Sequence, residues 1–438
     1  MFNNHNNSGS QESEFRIQNK KDDQMPDTSP SIDSHDRDIV RALARQIAEI
    51  AARPIMAARR DLWRRHNALE RVRPVVYVAP QGAWCELIPE DTLLCRDKAA
   101  RDIELALRCR IYMAERFASD NVVEKEWVVR KVIHNSGWGL TPHRTHSDDA
   151  RGAFGFEPVV FSADDLKQLR FPEIAYDAAA TRAQLDFFQA LFGDILEVRL
   201  KGVDNLSYHL MNQYTALRGL QEVLVDMIDN PRMVHDAMAF LEEGHRRILR
   251  QYVEQDLLSL NNDNTAIYTS GHGYTDRLPK PGFDPGHVRP ADLWCWAEAQ
   301  EMAVASPEMH AEFAFPYEKR LLAPFGLNGY GCCDDVTKKL DFVLTIPNLR
   351  RVSVSPWADV EQCARRIGGE VIFMWKPQPA DLVGAFNPAR IESYLRHTVE
   401  VTRAHGCILE IVLLDTHTCE NRPERFDEWT RLAHQAVS

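Results

Sequence analysis

The segment LNGYGCCDDVTKKLDFVLTIPNLRRVSVSPWADVEQCARRIGGEVIFMWKPQPAD, residues 327–381, has the most regular pattern in the chain. It contains apolar runs of strand length, and segments of helical pattern, such as VTKKLDFVL, separate one run from the next. Strands that alternate with helices are typical of βαβ units, in which consecutive strands run parallel. The stretch therefore predicts a parallel sheet.

The same alternation continues through the rest of the chain. Further strand-length runs are RPVVYVAP (73–80), VVEKEWVVRKVIH (122–134), ILEVRLKG (195–202), AIYTSGHGY (266–274) and ILEIVLLDTHT (408–418), and helical patterns cover 101–117, 210–258 and 425–437. No GxGxxG motif follows any of these runs, so the fingerprint of a dinucleotide-binding open sheet is missing. We therefore predict an α/β fold, a (β/α)8 TIM barrel over residues 71–438.

Two segments precede the predicted barrel. Residues 1–36 are rich in Asn, Ser, Asp and Gln and contain few large apolar residues. Such a segment cannot bury enough surface to offset the entropy of ordering, so we predict a disordered tail. Residues 37–70 have a helical pattern that is interrupted at Pro54, which predicts an N-terminal helical extension.

Composition limits the class of protein. The 438 residues carry a formal net charge of −12, which argues against a nucleic-acid partner. No apolar run reaches the roughly 18–20 residues that span a bilayer, and MFNNHNNSGSQESEF lacks the apolar core of a secretion signal. The nine cysteines are odd in number and scattered, which suits reduced thiols. We predict a cytoplasmic protein with a small-molecule substrate and no membrane partner. A homodimer is left open.

Polar side chains cluster where the predicted strands end. The residues at these ends are Ser270, His272, Tyr274, Tyr330, Cys332, Cys333, Asp334, Ser355, Trp357, Asp359, Trp375, Lys376, Gln378, Asp415, Thr416 and His417. Any one of them could be an ordinary loop residue. Because the active site of a (β/α)8 barrel lies at the carboxyl ends of its strands, the set as a whole predicts a site there.

Residues 329–383, from GYGCCDD to QPADLV, resemble the C-terminal half of the uroporphyrinogen decarboxylase superfamily. They are most similar to its methyltransferase branch, which includes methylcobamide:coenzyme M methyltransferases and corrinoid-linked O-demethylases. Tyr330 to Cys333 stand where the family has a His-x-Cys-Gly segment, Ser355 to Asp359 where it has a short acidic motif, and Lys376 to Pro379 where it has an Asn-x-x-Pro-like strand end. The resemblance extends over residues 190–438 and implies a (β/α)8 barrel that transfers methyl groups with the help of zinc.

The chain departs from the family at three places. Tyr330 replaces the zinc-binding histidine, and Asp415-Thr416-His417 stands where the last strand should end in a cysteine. The arginine-rich segment that grips the carboxylates of a porphyrinogen is absent, which argues against a porphyrinogen substrate. No corrinoid-binding DxHxxG motif is evident, so the cobamide would be carried by a separate corrinoid protein.

The resemblance and the strand ends together assign roles. Zinc binds thiolates and carboxylates and activates a thiol or polarises an ether, so we predict a zinc site formed by Cys332, Cys333 and Glu298. Glu301, His272, Asp415 and His417 are alternative ligands. The predicted catalytic residues are Asp359, Lys376, Asp415 and Tyr330, and the predicted substrate-binding residues are His272, Tyr274, Trp357, Trp375 and Gln378.

Two further predictions are geometric. His272, Cys332, Asp359, Lys376 and Asp415 should converge on one cavity together with Trp357 or Trp375. Neighbouring cysteines point in opposite directions on an extended strand, so only Cys332 should coordinate a metal unless the turn at Gly331 bends the backbone. Three functions remain open: zinc-assisted methyl transfer from a small methylated substrate to a corrinoid protein or a thiol, a decarboxylase or lyase on a non-porphyrin substrate, and a non-catalytic ligand-binding barrel.

Overall fold

A computed structural model describes residues 32–146 and 154–438, so most of the predicted disordered tail lies outside the described residues. The first helices are α1 (Ser34–Ala51) and α2 (Pro54–Asn67). Asp33 caps α1 by accepting a hydrogen bond from the Asp36 N–H, and Pro54 occupies the first position of α2, where its missing N–H costs nothing. The predicted break at Pro54 is confirmed. Residues 34–36, placed in the tail, belong to α1 instead.

The strands and the remaining helices follow the predicted alternation in the second half of the chain. In the described residues the strands are β1 (Val75–Val78), β2 (Glu126–Arg130), β3 (Val132–Asn135), β4 (His143–His146), β5 (Phe154–Glu157), β6 (Ile174–Asp177), β7 (Glu197–Lys201), β8 (Leu206–Tyr208), β9 (Trp294–Ala297), β10 (Leu327–Tyr330), β11 (Leu349–Val354), β12 (Ile372–Trp375) and β13 (Ile408–Leu413). The helices are α3 (Trp84–Leu87), α4 (Lys98–Arg116), α5 (Ala178–Phe192), α6 (Leu210–Arg218), α7 (Leu220–Asp229), α8 (Pro231–Glu254), α9 (Pro307–Phe313), α10 (Phe315–Leu322), α11 (Leu340–Val343), α12 (Val360–Ile367), α13 (Pro388–Ala404) and α14 (Glu424–Val437). None of these helices is both long and apolar enough to cross a membrane.

A parallel sheet forms the centre of the molecule. Its seven strands lie in the order β1-β13-β12-β11-β10-β9-β8, and every neighbouring pair is parallel. Val75 lies beside Glu410 and Val78 beside Leu413, so the last strand of the chain pairs with the first. The parallel α/β fold is therefore confirmed. Within the described residues no ladder joins β1 to β8, and the predicted closed barrel of eight strands is not confirmed.

Residues 120 and 121, and not a further strand, cover the free edge of β1. Asp120 donates its N–H to the Val76 carbonyl at 2.7 Å and accepts the Val76 N–H on its carboxylate at 2.9 Å. The Asn121 amide accepts from the Val78 N–H at 3.1 Å and donates to the Val78 carbonyl at 2.9 Å. Because the Asp120 backbone and the two side chains satisfy the N–H and C=O groups of this edge, β1 needs no further strand partner here.

The two faces of the central sheet belong to two separate hydrophobic cores. The outer face packs against helices, and its core includes Val352, Val354, Phe373, Trp375, Ile411 and Leu413 with Leu395 and Trp429. The inner face has a separate core that includes Ile267, Tyr268, Trp294, Trp296, Ile372, Met374 and Val412. Alternate residues of β11, β12 and β13 therefore face opposite sides, as the pleat of a strand requires.

Residues 267–274, here called the plug loop, fill the inner face. They were predicted to be a strand, and that prediction is wrong: a single antiparallel bridge joins Ala266 to His272, and Tyr268 has φ +52°. Buried Arg351 donates to the Gly271 and His272 carbonyls, and buried Glu410 accepts the Gly271 N–H at 2.7 Å. The loop is held there by an interior ion pair, since Arg351 Nε lies 3.2 Å from Glu410 Oε2.

Some of the other predicted strands do not belong to the central sheet. The runs 122–134 and 195–202 contain β2 and β7, which pair with each other outside the central sheet. Residues 294–297 of the segment WCWAEAQEMA form β9, so Glu298 directly follows a strand. The helical pattern over 210–258 corresponds to α6, α7 and α8, and the last of these helices begins at Pro231.

Candidate functional site

The two neighbouring cysteines lie directly after β10, and their sulfur atoms point to the same place. Gly331 has φ +92°, a conformation that favours glycine, and it turns the chain between Tyr330 and Cys332. The Sγ atoms of Cys332 and Cys333 are 3.4 Å apart. The backbone bend that would allow both cysteines to take part in one site is therefore present.

A buried lysine pairs with the first of these cysteines. Lys376 directly follows β12, and its Nζ lies 3.4 Å from Cys332 Sγ and 3.1 Å from the Thr269 hydroxyl. Burial opposes the charge on Lys376, but the neighbouring Cys332, Cys333 and Asp415 more than offset it and raise the pKa of the lysine above its ordinary value. Lys376 is therefore an ammonium group beside a sulfur acceptor in an interior that excludes water.

The second cysteine links the first one to a carboxylate. Cys333 donates its S–H to Asp415 Oδ2 at 3.5 Å, and its hydrogen bond with Cys332, together with burial, raises the pKa of Cys333 well above the usual range. Asp415 has φ +60° and donates its own N–H to Gln81. We call Lys376, Cys332, Cys333, Asp415 and Thr269 the thiol site. It contains an ammonium, a sulfur that accepts from it, a protonated thiol and a carboxylate.

Aromatic rings form one wall of the thiol site. The Trp296 indole donates to the Gly331 carbonyl at 2.8 Å, and the Tyr268 ring lies 5.8 Å from the Trp296 ring. Burial first, and then the neighbouring Cys332 and Glu298, raise the pKa of Tyr268 well above its usual value. Tyr268 and Thr269 were not identified from the sequence, because they were assigned to a strand. The signal that could have found them is the glycine-rich segment TSGHG, which is typical of a tight turn.

Glu298, predicted to bind zinc, is held by other partners. Its Oε1 lies 2.7 Å from Nδ1 of His209, and its Oε2 accepts the Gln300 N–H at 2.8 Å. Nε2 of His209 lies 2.8 Å from the Ser207 hydroxyl. Nearby Glu301 accepts a hydrogen bond from Asn212, and burial together with the charge of Glu298 raises the pKa of Glu301 to about 8.

The donor atoms do not fit a zinc ion. In the described part of the chain, the only group of three carboxylate, imidazole or thiol ligands within 4.8 Å of one another is Asp33, His35 and Asp36, at the start of α1. Cys332, Cys333 and Glu298 are not gathered in this way. The ammonium of Lys376 also stands against Cys332, and it would repel a dication that shared the same sulfur.

His272 and Tyr274, predicted to bind substrate, are engaged in structural hydrogen bonds. Nε2 of His272 accepts the Val122 N–H at 3.0 Å, and Nδ1 lies 2.7 Å from the Asn264 carbonyl, to which it donates. Burial lowers the pKa of His272 to about 4, so the imidazole is neutral at pH 7. The Tyr274 hydroxyl donates to Glu124 at 2.5 Å. Both side chains anchor the plug loop to the region around residues 122–124.

Tyr330 and Trp375 face away from the thiol site. The Tyr330 hydroxyl donates to Glu318 at 2.7 Å and lies 2.8 Å from Nε2 of His310, on the outer face of the sheet between β10 and helices α9 and α10. The Trp375 ring packs against Tyr394 of α13 at 4.8 Å. The last residues of β10 and β12 therefore serve the outer core.

Three of the five residues predicted to share one cavity do lie together: Cys332, Lys376 and Asp415 meet in the thiol site. His272 is in the plug loop, where its hydrogen bonds anchor that loop. Asp359 is exposed and caps α12 by accepting the Gln362 N–H at 2.9 Å. Neither predicted tryptophan joins the site, because Trp375 faces outward and the Trp357 side chain is 68% exposed. Gln378 is half-buried and follows Lys376 by two positions.

Comparisons with known proteins add one distant likeness. No protein-family model matches the chain, and no curated protein matches it. Among solved structures, a methyltransferase from Methanosarcina mazei is similar, with a TM-score of 0.45 and 11% sequence identity over 85% of this chain and 96% of that chain. A likeness of this size leaves the function to be inferred from the residues of the site.

Proposed function

We propose that this protein is a methyltransferase-like enzyme in which Cys332 accepts a methyl group from a small methylated substrate. The observation that carries the proposal is the buried pair of Lys376 and Cys332, with 3.4 Å between Nζ and Sγ. An adjacent ammonium stabilises a thiolate, and the thiolate is the nucleophilic form of cysteine. The position of the pair at the carboxyl ends of parallel strands is the usual position of an active site in folds of this kind.

The first half-reaction is a displacement at the methyl carbon. Cys332 Sγ attacks the carbon, a new S–C bond forms, and the bond from the methyl group to the substrate's sulfur, nitrogen or oxygen breaks with its electron pair. A sulfonium or quaternary ammonium substrate leaves as a neutral molecule, so no proton is needed. Because Cys332 is fully buried, the substrate must be small.

The second half-reaction returns the thiolate. A thiolate acceptor takes the methyl group, and the electron pair of the S–C bond returns to Cys332. A corrinoid carried by a separate protein would be the alternative acceptor. Lys376 stabilises the negative charge that develops on the sulfur, and the S–H of Cys333 can turn from Asp415 toward the same sulfur. Stabilisation of the leaving thiolate is what allows an otherwise unreactive thioether to release its methyl group.

The test is to look for the methylated cysteine. The purified protein is incubated with trimethylsulfonium, and intact mass and peptide mapping are measured; one added methyl group on Cys332 is expected. Cys332→Ser should abolish the modification. Cys363→Ser is the matched control, because Cys363 is another buried cysteine but lies on α12, away from the thiol site. Unchanged mass under conditions that methylate a reactive model thiol, or methylation elsewhere that persists in Cys332→Ser, would overturn the proposal.

A further inference from the structure

Ser207, His209 and Glu298 form a continuous chain of hydrogen bonds that the thiol site does not use. The Ser207 hydroxyl lies 2.8 Å from Nε2 of His209, and Nδ1 of His209 lies 2.7 Å from Oε1 of Glu298. A nucleophile, a base and a carboxylate that orients the base, joined in this order, are the parts of a hydrolytic triad. We propose that these residues are a second catalytic centre that hydrolyses carboxylic esters.

The parallel sheet brings the triad together. Ser207 lies in β8 and His209 follows that strand, so the two side chains, two positions apart, share a face. Glu298 follows β9, and Ser207 is in register with Trp296 of β9 while Tyr208 is in register with Ala297. The carboxyl ends of two adjacent strands therefore supply all three groups. This is a more rigid support than a loop, and a triad requires such rigidity.

The two contacts of the His209 ring give each nitrogen a role in the proposed triad. Nδ1 donates to the Glu298 carboxylate, and Nε2 presents its lone pair to the Ser207 hydroxyl. Glu298 is buried, and its second oxygen is fixed by the Gln300 N–H. The tautomer with its proton on Nδ1 is the one that can remove a proton from Ser207.

Access and charge stabilisation are also available. The His209 side chain is 22% exposed and Ser207 is half-buried, so both groups can be reached from solvent. Helix α6, nine residues long, begins at Leu210 directly after His209. The first N–H groups of a helix have no intrahelical acceptors, and the positive end of the helix dipole favours an oxyanion.

The reaction balances without a further cofactor. Ser207 Oγ attacks the ester carbonyl carbon and its proton passes to Nε2 of His209; the ester C–O bond then breaks, and the alcohol leaves with that proton. Water attacks the acyl-serine with His209 as base, and the carboxylic acid is released. The Tyr268 ring lies 4.8 Å from the His209 ring, so an ester with a flat apolar group suits the site.

A fluorophosphonate probe tests the triad directly, since it phosphonylates only activated serines. We expect stoichiometric labelling of Ser207 in the full chain, located by peptide mapping, and hydrolysis of p-nitrophenyl acetate that the probe inhibits. Ser207→Ala should abolish labelling at this position, and His209→Gln should slow it at least about 100-fold. Ser355→Ala is a matched control, because Ser355 is a buried serine at the end of β11.

The outcomes separate the triad from the thiol site. Cys332→Ser should keep the full rate of labelling, and Ser207→Ala should still accept a methyl group on Cys332. Thermal unfolding of each variant shows whether it is folded. If Ser207 in the folded wild-type protein stays unlabelled while a serine hydrolase is labelled in the same solution, or if His209→Gln labels at the wild-type rate, the triad is only a structural hydrogen-bond chain and the proposal fails.

Discussion

Tyr330 and Cys332 lie two positions apart at the end of β10, yet they belong to opposite faces of the sheet. On an extended strand they would share a face, but Gly331 with φ +92° turns the chain between them. Tyr330 enters an outer cluster with Glu318 and His310, whereas Cys332 enters the inner thiol site with Lys376.

Both clusters are largely buried, but they carry charge differently. In the outer cluster, burial first and then nearby Glu298, Glu301 and Asp334 raise the pKa of Glu318 well above its ordinary value, so this carboxyl group keeps its proton. Burial also lowers the pKa of His310 to about 4, which leaves the imidazole neutral. On the inner face, partners of opposite sign keep Lys376 charged. The sign of the neighbouring groups, and not burial alone, decides whether a buried group is ionised.

We expect the largest loss of stability when the buried ion pair on the inner face is broken. Arg351→Leu should remove one partner of the fully buried pair with Glu410 and also release the carbonyls of the plug loop. Breaking a buried ion pair in this way costs about 3–5 kcal/mol, so the free energy of unfolding measured in urea should fall by that amount. An exposed control is Arg365→Leu, which breaks a surface pair with Glu361 and should change stability by less than about 1 kcal/mol. Equal effects from the two variants would contradict the importance of the inner network.

The second prediction concerns the rate at which Cys332 is methylated. Lys376→Met should slow methylation of Cys332 by trimethylsulfonium by about 10–100-fold, because a hydrogen bond to a charged group contributes roughly 1.5–3 kcal/mol. Lys339→Met is the control: this lysine is also buried and paired, but its partner is Asp334. The control should lose stability and keep the methylation rate. A rate that is unchanged in Lys376→Met would show that the ammonium does not activate the sulfur.

A smaller effect is expected at the turn that separates the faces. Gly331→Ala should destabilise the protein by about 1 kcal/mol, because alanine is strained at positive φ. Crowding adds little, since a Cβ at this position would meet Ser353 at an ordinary 3.4 Å. Gly282→Ala has a similar φ of +79° in open surroundings and is the control for strain alone. Only Gly331→Ala should also reduce the capture of phenylarsine oxide, which needs both sulfur atoms close together; equal capture by both variants would contradict the role of the bend.

The smallest effect is expected in the outer cluster at acidic pH. Because Glu318 is protonated in the folded protein, Glu318→Gln should change the free energy of unfolding by less than about 1 kcal/mol at pH 5. The pKa of Glu318 is raised on folding, so its contribution is complete below the unfolded value of 4.5 and is lost as pH rises toward the folded value. Urea unfolding from pH 5 to pH 8 should therefore show the wild-type protein losing stability relative to Glu318→Gln. A constant difference over that range would mean that Glu318 is ionised when folded.

Several elements could be predicted because their signals are local. The runs that became β10 to β13 are apolar, of strand length, and separated by helical patterns or turn residues, and the split at Pro54 follows from the missing N–H of proline. The same local rule placed Cys332, Lys376 and Asp415 at strand ends, and these three residues do meet. Their roles in methyl transfer stay predictions, as does the corrinoid partner.

Other parts depended on contacts between distant residues. Residues 266–274 have the apolar start of a strand, but their conformation is decided by Arg351 and Glu410, more than 70 positions away along the chain. His209 follows β8, a strand of three residues that is too short for a hydrophobic pattern to reveal. No periodicity in the sequence encodes which pairs of strands will be neighbours. The hydrogen-bond chain from Ser207 to Glu298 could therefore not be predicted from the sequence.

Strand length, helical period and proline act within a few residues, so they were enough to predict the parallel α/β class, the position of the last strands and the polar groups at their ends. Which of those groups meet depends on the packing of distant residues. The direction of a side chain after a strand depends on a single backbone angle, as at Gly331, and its charge depends on the neighbours that packing supplies, as at Lys376 and Glu318.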